Sequence, residues 1–383
     1  MENYQVISNR LQSINESARP LGGALSRCSR LLGLAAVAIT LGACGKRDAN
    51  FSLLQTGQTF QQAEARINSK IDILWVVDNS YSMDPLQQNL IANFEMFINN
   101  FQGKDFDYRM AVTTTDAYLS GAFYRDNPSL ARVRDGADGV FSGFPFITPF
   151  IPDIVPNFMI NATQGVNGSG DERAFQSMLD TLTSPLNADF RREEAYFSVV
   201  ILSDEDDFTD YNRPELSWIY GGVKDHSYTN PGLMSIDEVI ERLDDITGST
   251  PERRRYNVNA IAVLDDACRQ NNLNPAAIVG QRYIELVNRT GGVLGSVCDS
   301  SYANSLQFIQ ERIVQLASEF PLSGDPNPDT IEVYVNGQLW PKSTEKGWSY
   351  DPERNVIRFH GSMNDLPPAG SSIQVRFDPK GLL

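Results

Sequence analysis

Histidine is nearly absent from this chain. Two occur in 383 residues, His226 and His360. They fall in different predicted modules, which argues against a histidine-rich zinc site. Basic residues are outnumbered, 32 Lys and Arg against 48 Asp and Glu, for a formal charge of −16. A surface this acidic excludes nucleic acid as a partner and suits hard cations or basic partners. The apolar run from Leu31 to Leu41 is about ten residues, too short to cross a bilayer as a helix. There is no His-Glu-x-x-His, no Gly-x-Ser-x-Gly and no Gly-x-x-x-x-Gly-Lys. No pair of carboxylates stands out as an acid/base couple, and an enzyme is not expected. Hydrophobic residues make up 41% of the chain. That supplies a full-sized core for one large α/β domain and a smaller module.

The four cysteines divide by position. Arg27 and Arg30 make a basic region just before the short apolar run, which ends in Leu41-Gly42-Ala43-Cys44. This resembles a bacterial lipobox. The resemblance implies a signal peptide over residues 1–44, a lipid on Cys44 that attaches the chain to a membrane, and residence in the cell envelope. Gly45, where inner-membrane retention would want Asp, points to the outer membrane of a Gram-negative bacterium. Cys28 would leave with the signal. Cys268 and Cys298 remain, and an oxidising compartment lets them pair. That bridge closes about 30 residues and contributes on the order of 3 kcal/mol in the chain-entropy view; two buried free thiols are the alternative. Residues 45–69 are polar, rich in Gln and Ala, and read as a tether.

From residue 70 the texture alternates between strand and helix. Ile71–Val77 is a near-continuous apolar run, as a central parallel strand buried on both faces requires. Further strands are expected at 108–115, 196–202, 256–263 and 293–296, with a short partner at Leu119–Tyr124. Helical spacing covers 86–101, 172–182, 236–246, 278–290 and 301–320. The expected fold class is α/β, a doubly wound, mostly parallel sheet over residues 70–320. A breaker-rich stretch follows Pro321. Beyond it, alternation around Asn336-Gly337 gives a hairpin, and residues 321–383 read as a small antiparallel β module.

The first apolar strand ends in Asp78-Asn79-Ser80-Tyr81-Ser82. This Asp-x-Ser-x-Ser segment stands where open α/β sheets bind ligands, at a strand's C-terminal end. Here the chain resembles von Willebrand factor A domains, whose metal-ion-dependent adhesion site opens with the same pattern. The resemblance implies two more segments. Ser169 stands where the family places Thr, with Asp171 as the alternative ligand, and Leu202-Ser203-Asp204 ends a second apolar strand with the required Asp. A Mg²⁺ ion, or Ca²⁺ or Mn²⁺, would then sit among Asp78, Ser80, Ser82, Ser169 and Asp204. Hydroxyls would bind directly and carboxylates mostly through water. An ion with few carboxylates stays electron-poor and can take an acidic group from a protein partner. The run Asp204-Glu205-Asp206-Asp207 is either an additional cation site or a solvated acidic loop.

Two long connections, 126–168 and 205–234, carry Phe144, Phe146 and Trp218. Loops of this length often serve function. These aromatic residues either anchor a partner around the ion or cover an edge of the sheet. Three functions are carried forward: metal-dependent binding at the envelope, a metal-free scaffold in an envelope assembly, and a metallohydrolase using the acidic run.

Overall fold

The computed structural model describes residues 60–380, apart from 63–64, 67, 69, 103–105, 213–226, 252, 272–274 and 362–363. The expected signal peptide, Cys44, most of the tether and Trp218 lie outside the described residues. Strands in chain order are β1 (Phe60–Gln61), β2 (Ala65–Arg66), β3 (Lys70–Val77), β4 (Asp107–Thr114), β5 (Gly136–Ala137), β6 (Val140–Phe141), β7 (Phe146–Ile147) and β8 (Tyr196–Leu202). They continue as β9 (Tyr256–Ala262), β10 (Leu294–Ser296), β11 (Phe320–Pro321), β12 (Glu332–Val335), β13 (Gln338–Leu339), β14 (Gly347–Asp351), β15 (Val356–His360) and β16 (Ser372–Phe377). The α-helices are α1 (Asp84–Gln102), α2 (Ile154–Ala162), α3 (Ala174–Thr183), α4 (Ile236–Thr247), α5 (Asp266–Asn271), α6 (Gln281–Thr290) and α7 (Ala303–Ala317).

The main sheet has the order β10-β9-β8-β3-β4-β7 and is parallel except for β7 at its edge. Alternation along β3 sorts its side chains between two cores. Ile71, Ile73, Trp75 and Val77 face the cluster containing α1, α2 and α7 residues. Leu74 and Val76 face the cluster built on α3, α4 and α6. Both faces are therefore covered, which is why the strand reads as one apolar run. Trp75 meets Phe94, Phe97 and Phe158 edge-on, with ring centroids 6.2, 5.3 and 5.5 Å away. Burying each such ring stabilises the fold by about 2–3 kcal/mol.

Two local expectations change. Leu119–Tyr124 is not a strand: Ala117–Ser120 forms a 3-10 turn, closed by Leu119 N–H on Asp116 O and Gly121 N–H on Tyr118 O. The antiparallel neighbour of β4 is β7 instead, pairing Phe146 with Ala111. In the segment read as a tether, β1 and β2 pair antiparallel with the last strand, β16. The Phe60 ring packs 5.0 Å from Phe377. The C-terminal β module is thus completed by residues that precede the α/β domain.

The module itself has two small antiparallel sheets, β1-β16-β12-β13 with β2 also on β16, and β11-β15-β14. Asn336 and Gly337 take φ of 50° and 79°, the left-handed turn that joins β12 to β13. The module shares its core with one face of the large domain: Val333, Trp348, Phe359 and Val375 belong to the same buried cluster as Trp75. Cys268 and Cys298 form a disulfide, with Cα atoms 5.7 Å apart. It staples α5 to the loop after β10. Among the described residues no helix is long and apolar enough to cross a membrane.

Candidate metal centre

Parallel pairing sets the site. Val77 lies opposite Leu202 in the β3–β8 ladder, so the residues that follow each strand emerge side by side. Asp78 N–H continues the ladder onto Leu202 O at 2.9 Å, and Ser203 N–H reaches Ile261 O at 3.2 Å. The chain after Asp78 then turns through a short 3-10 segment, Tyr81–Met83, into α1.

The side chains close into one cluster. Asp78 is fully buried, and Ser80 and Asp204 nearly so. Asp78 Oδ1 accepts from Ser80 N–H at 2.8 Å and Oδ2 accepts from Ser203 Oγ at 2.7 Å. Ser82 Oγ donates to Asp204 Oδ1 at 3.2 Å, and the Ser80 and Ser82 hydroxyls are 3.3 Å apart. Asp78, Ser80, Ser82 and Asp204, from two distant segments, are thus gathered. Ser203 joins them; a hydroxyl residue next to the strand-ending Asp was its signal in the sequence.

The electrostatics are those of an anionic cage. The Asp78 carboxyl is pushed up to about 7, first by burial and then by the negative charge of Asp204, with Glu205 adding to it. The Ser80 N–H and the Ser203 hydroxyl oppose the shift. No cationic side chain is among these influences. Buried carboxylates side by side are costly unless a positive charge joins them. The donors are all oxygen, from hydroxyl and carboxylate, which fits a hard divalent cation. Among the described residues no three His, Cys, Asp or Glu side chains gather into a metal cage. The site is hydroxyl-rich instead.

The expected third segment lies alongside. Gly168 N–H donates to Asn79 O at 2.8 Å. A Cβ on Gly168 would stand 2.2 Å from Asn79 Oδ1, so any larger residue would force the Asn79 side chain to move. The next residue, Ser169, turns its hydroxyl to Tyr118 OH at 3.1 Å and accepts from Asp171 N–H at 3.1 Å. Asp171, its alternative, is fully buried against the Arg173 guanidinium at 2.7 Å. That cation also lies over the Tyr118 and Tyr124 rings, at 4.6 and 5.2 Å.

The acidic run is not a solvated loop, because Glu205, Asp206 and Asp207 are buried. Asp206 Oδ2 accepts from Arg282 N–H at 3.0 Å and from Tyr228 OH at 2.9 Å. Asp207 Oδ2 accepts from Phe175 N–H at 2.9 Å, and Oδ1 faces Arg282 Nη2 at 3.3 Å. The two carboxylates therefore satisfy first-turn amides of α6 and α3, where negative charge is favoured. Asp204 and Glu205 act at the central cluster, both raising Asp78.

The aromatic residues divide differently. Phe144 is half-buried against the core. Phe146 sits on the edge strand β7, 6.2 Å from the Phe190 ring and with the Arg109 guanidinium 5.3 Å above it. Tyr81, between the two site serines, is 88% exposed. It is the aromatic residue nearest the cluster in sequence, and the variable position of the motif gave no signal for it.

No family model matches the chain. No curated protein matches it either. Among solved structures, the pilus adhesin SpaC from Lactobacillus rhamnosus GG in its open conformation is similar at 12% identity and a TM-score of 0.39, over 80% of this chain and 38% of that one. Another form of that adhesin gives 11% identity and a TM-score of 0.32, over 80% of this chain and 39% of that one. Proximal thread matrix protein 1 from the mussel byssus gives 12% and 0.34, over 68% of this chain and 51% of that one. The chain spans roughly two fifths to one half of these proteins. Likenesses this distant carry no inference about family or function.

Proposed function

We propose that this chain is a binding protein with a von Willebrand factor A-type domain that holds a divalent cation, Mg²⁺ or else Ca²⁺ or Mn²⁺. Ser80 and Ser82 would hold the ion by their hydroxyls, with Asp78 and Asp204 oriented beside them and Ser169 adjoining. The bound ion would supply a positive centre able to accept a carboxylate. The partner is a protein presenting an acidic side chain, and Cys44 would tie the chain by lipid to the outer membrane of a Gram-negative envelope. The observation that carries this reading is the contact between Ser82 and Asp204, which are 122 residues apart, beside a fully buried Asp78. Oxygen donors converge there with like charges, and the largest influences on Asp78 are burial, neighbouring carboxylates and two hydrogen-bond donors.

The test is capture of partners from an envelope extract with the full chain, in Mg²⁺ and in EDTA. A partner retained only in Mg²⁺, and lost with the Asp78→Ala, Asp204→Ala double variant, supports the proposal. Equal capture under all conditions would favour a metal-free scaffold.

A further inference from the structure

Three backbone groups from two segments converge on a single buried side chain outside the expected metal set. Gln87 lies on the first turn of α1 and is almost fully buried. Its Nε2 donates to Asp78 O at 2.9 Å and to Gly165 O at 2.9 Å. Its Oε1 accepts from Gln164 N–H at 3.0 Å. Both amide protons and the carbonyl are used, and each contact is to the main chain. One end of this strut is the residue that opens the metal motif. The other is the stretch 164–165, which leads directly to Gly168 and Ser169.

We infer that Gln87 is the positioning residue that brings the second segment, residues 164–169, up to the first. This rests on the proposed metal site and names what assembles it. The first segment is already fixed without Gln87: Asp78 N–H is held by Leu202 O, and Met83 N–H by Ser80 O at 3.1 Å. The second segment has no strand ladder. Between α2, which ends at Ala162, and α3, which starts at Ala174, it is tied to the first segment by the Gln87 amide and by the Gly168–Asn79 bond. A glutamine suits the task because one planar amide offers two donors and an acceptor with no charge to bury. A shorter or apolar side chain leaves Asp78 O, Gly165 O and Gln164 N–H short of a partner in a buried place.

A double-mutant cycle separates positioning from general damage. Mg²⁺ affinity is measured by calorimetry on the full chain for wild type, Gln87→Met, Ser169→Ala and the double variant. Hydrogen exchange at the Gln164 and Gly168 amides is followed in parallel. The expected result is a loss of at least tenfold in affinity for Gln87→Met, together with faster exchange at both amides. The double variant should bind within about twofold of Ser169→Ala alone, since a misplaced segment has nothing more to lose. Wild-type affinity in Gln87→Met, or losses that multiply in the double variant, would overturn the inference and leave the metal site standing. Absence of Mg²⁺ binding by the wild type would overturn both. If Gln87→Met does not fold, Gln87→Glu, which keeps the length and the acceptor but loses both donors, is read in the same cycle.

Discussion

Replacing Asp204 by asparagine should stabilise the chain in EDTA and destabilise it, relative to wild type, in Mg²⁺. Asparagine is isosteric and keeps an oxygen for the Ser82 hydroxyl, so the change is mainly one of charge. In the metal-free chain Asp78 is pushed up to about 7, so ionising it in the fold costs on the order of a few kcal/mol. Burial is the larger cause and Asp204 the next. Removing the Asp204 charge should therefore return about 1–2 kcal/mol at pH 7.5. The sign follows from linkage: a carboxyl raised on folding favours the fold at low pH, and that contribution is lost as pH climbs from about 4 to about 7. The gain in EDTA should accordingly shrink below pH 5. In Mg²⁺ at a hundred times its dissociation constant, the wild type gains about 2.7 kcal/mol that the variant lacks. Urea unfolding at pH 5 and pH 7.5, with and without Mg²⁺, measures all four corners. A variant less stable than wild type in both EDTA and Mg²⁺ would refute the reasoning.

Three further outcomes follow from other parts of the fold. Burial lifts the Asp180 carboxyl to about 6, so its contribution to folding falls as pH rises from about 4 to about 6; Asp180→Asn should stabilise the chain by about 1–3 kcal/mol at pH 7.5 and by almost nothing at pH 4, read by urea unfolding. Arg173→Met leaves Asp171 buried without its guanidinium and should cost about 3–5 kcal/mol, with Asp171→Asn in the same chain restoring part of it. The Cys268→Ser, Cys298→Ser variant opens a bridge between residues 30 apart and should lose on the order of 3 kcal/mol, measured by thermal unfolding in EDTA.

Legibility in the sequence tracked the length of the physical signal. β3, β8 and β9 are seven or eight residues long and buried on both faces, so each appears as an apolar run. β1, β2 and β7 are two residues each, too short for alternation to register, and their pairing with Phe377, Ile373 and Met110 is entirely long-range. Asp78 and Asp204 were legible because they stand at the ends of apolar strands, and Ser80 and Ser82 because they follow Asp78 in the spacing of the motif that the segment resembles. Asp206 and Asp207 were not, because the amides they satisfy belong to helices that begin at residues 281 and 174. A cap supplied from so far along the chain leaves no local pattern. Gln87 was missed for the same reason: its work is done on groups brought close only by the folded sheet.

Crystals of the full chain grown with Mn²⁺ and measured at the manganese absorption edge address the central claim most directly. One anomalous peak is predicted, roughly 2.0–2.3 Å from the Ser80 and Ser82 hydroxyl oxygens, with Asp78 and Asp204 around it. Occupied manganese elsewhere and none between these serines would contradict the account.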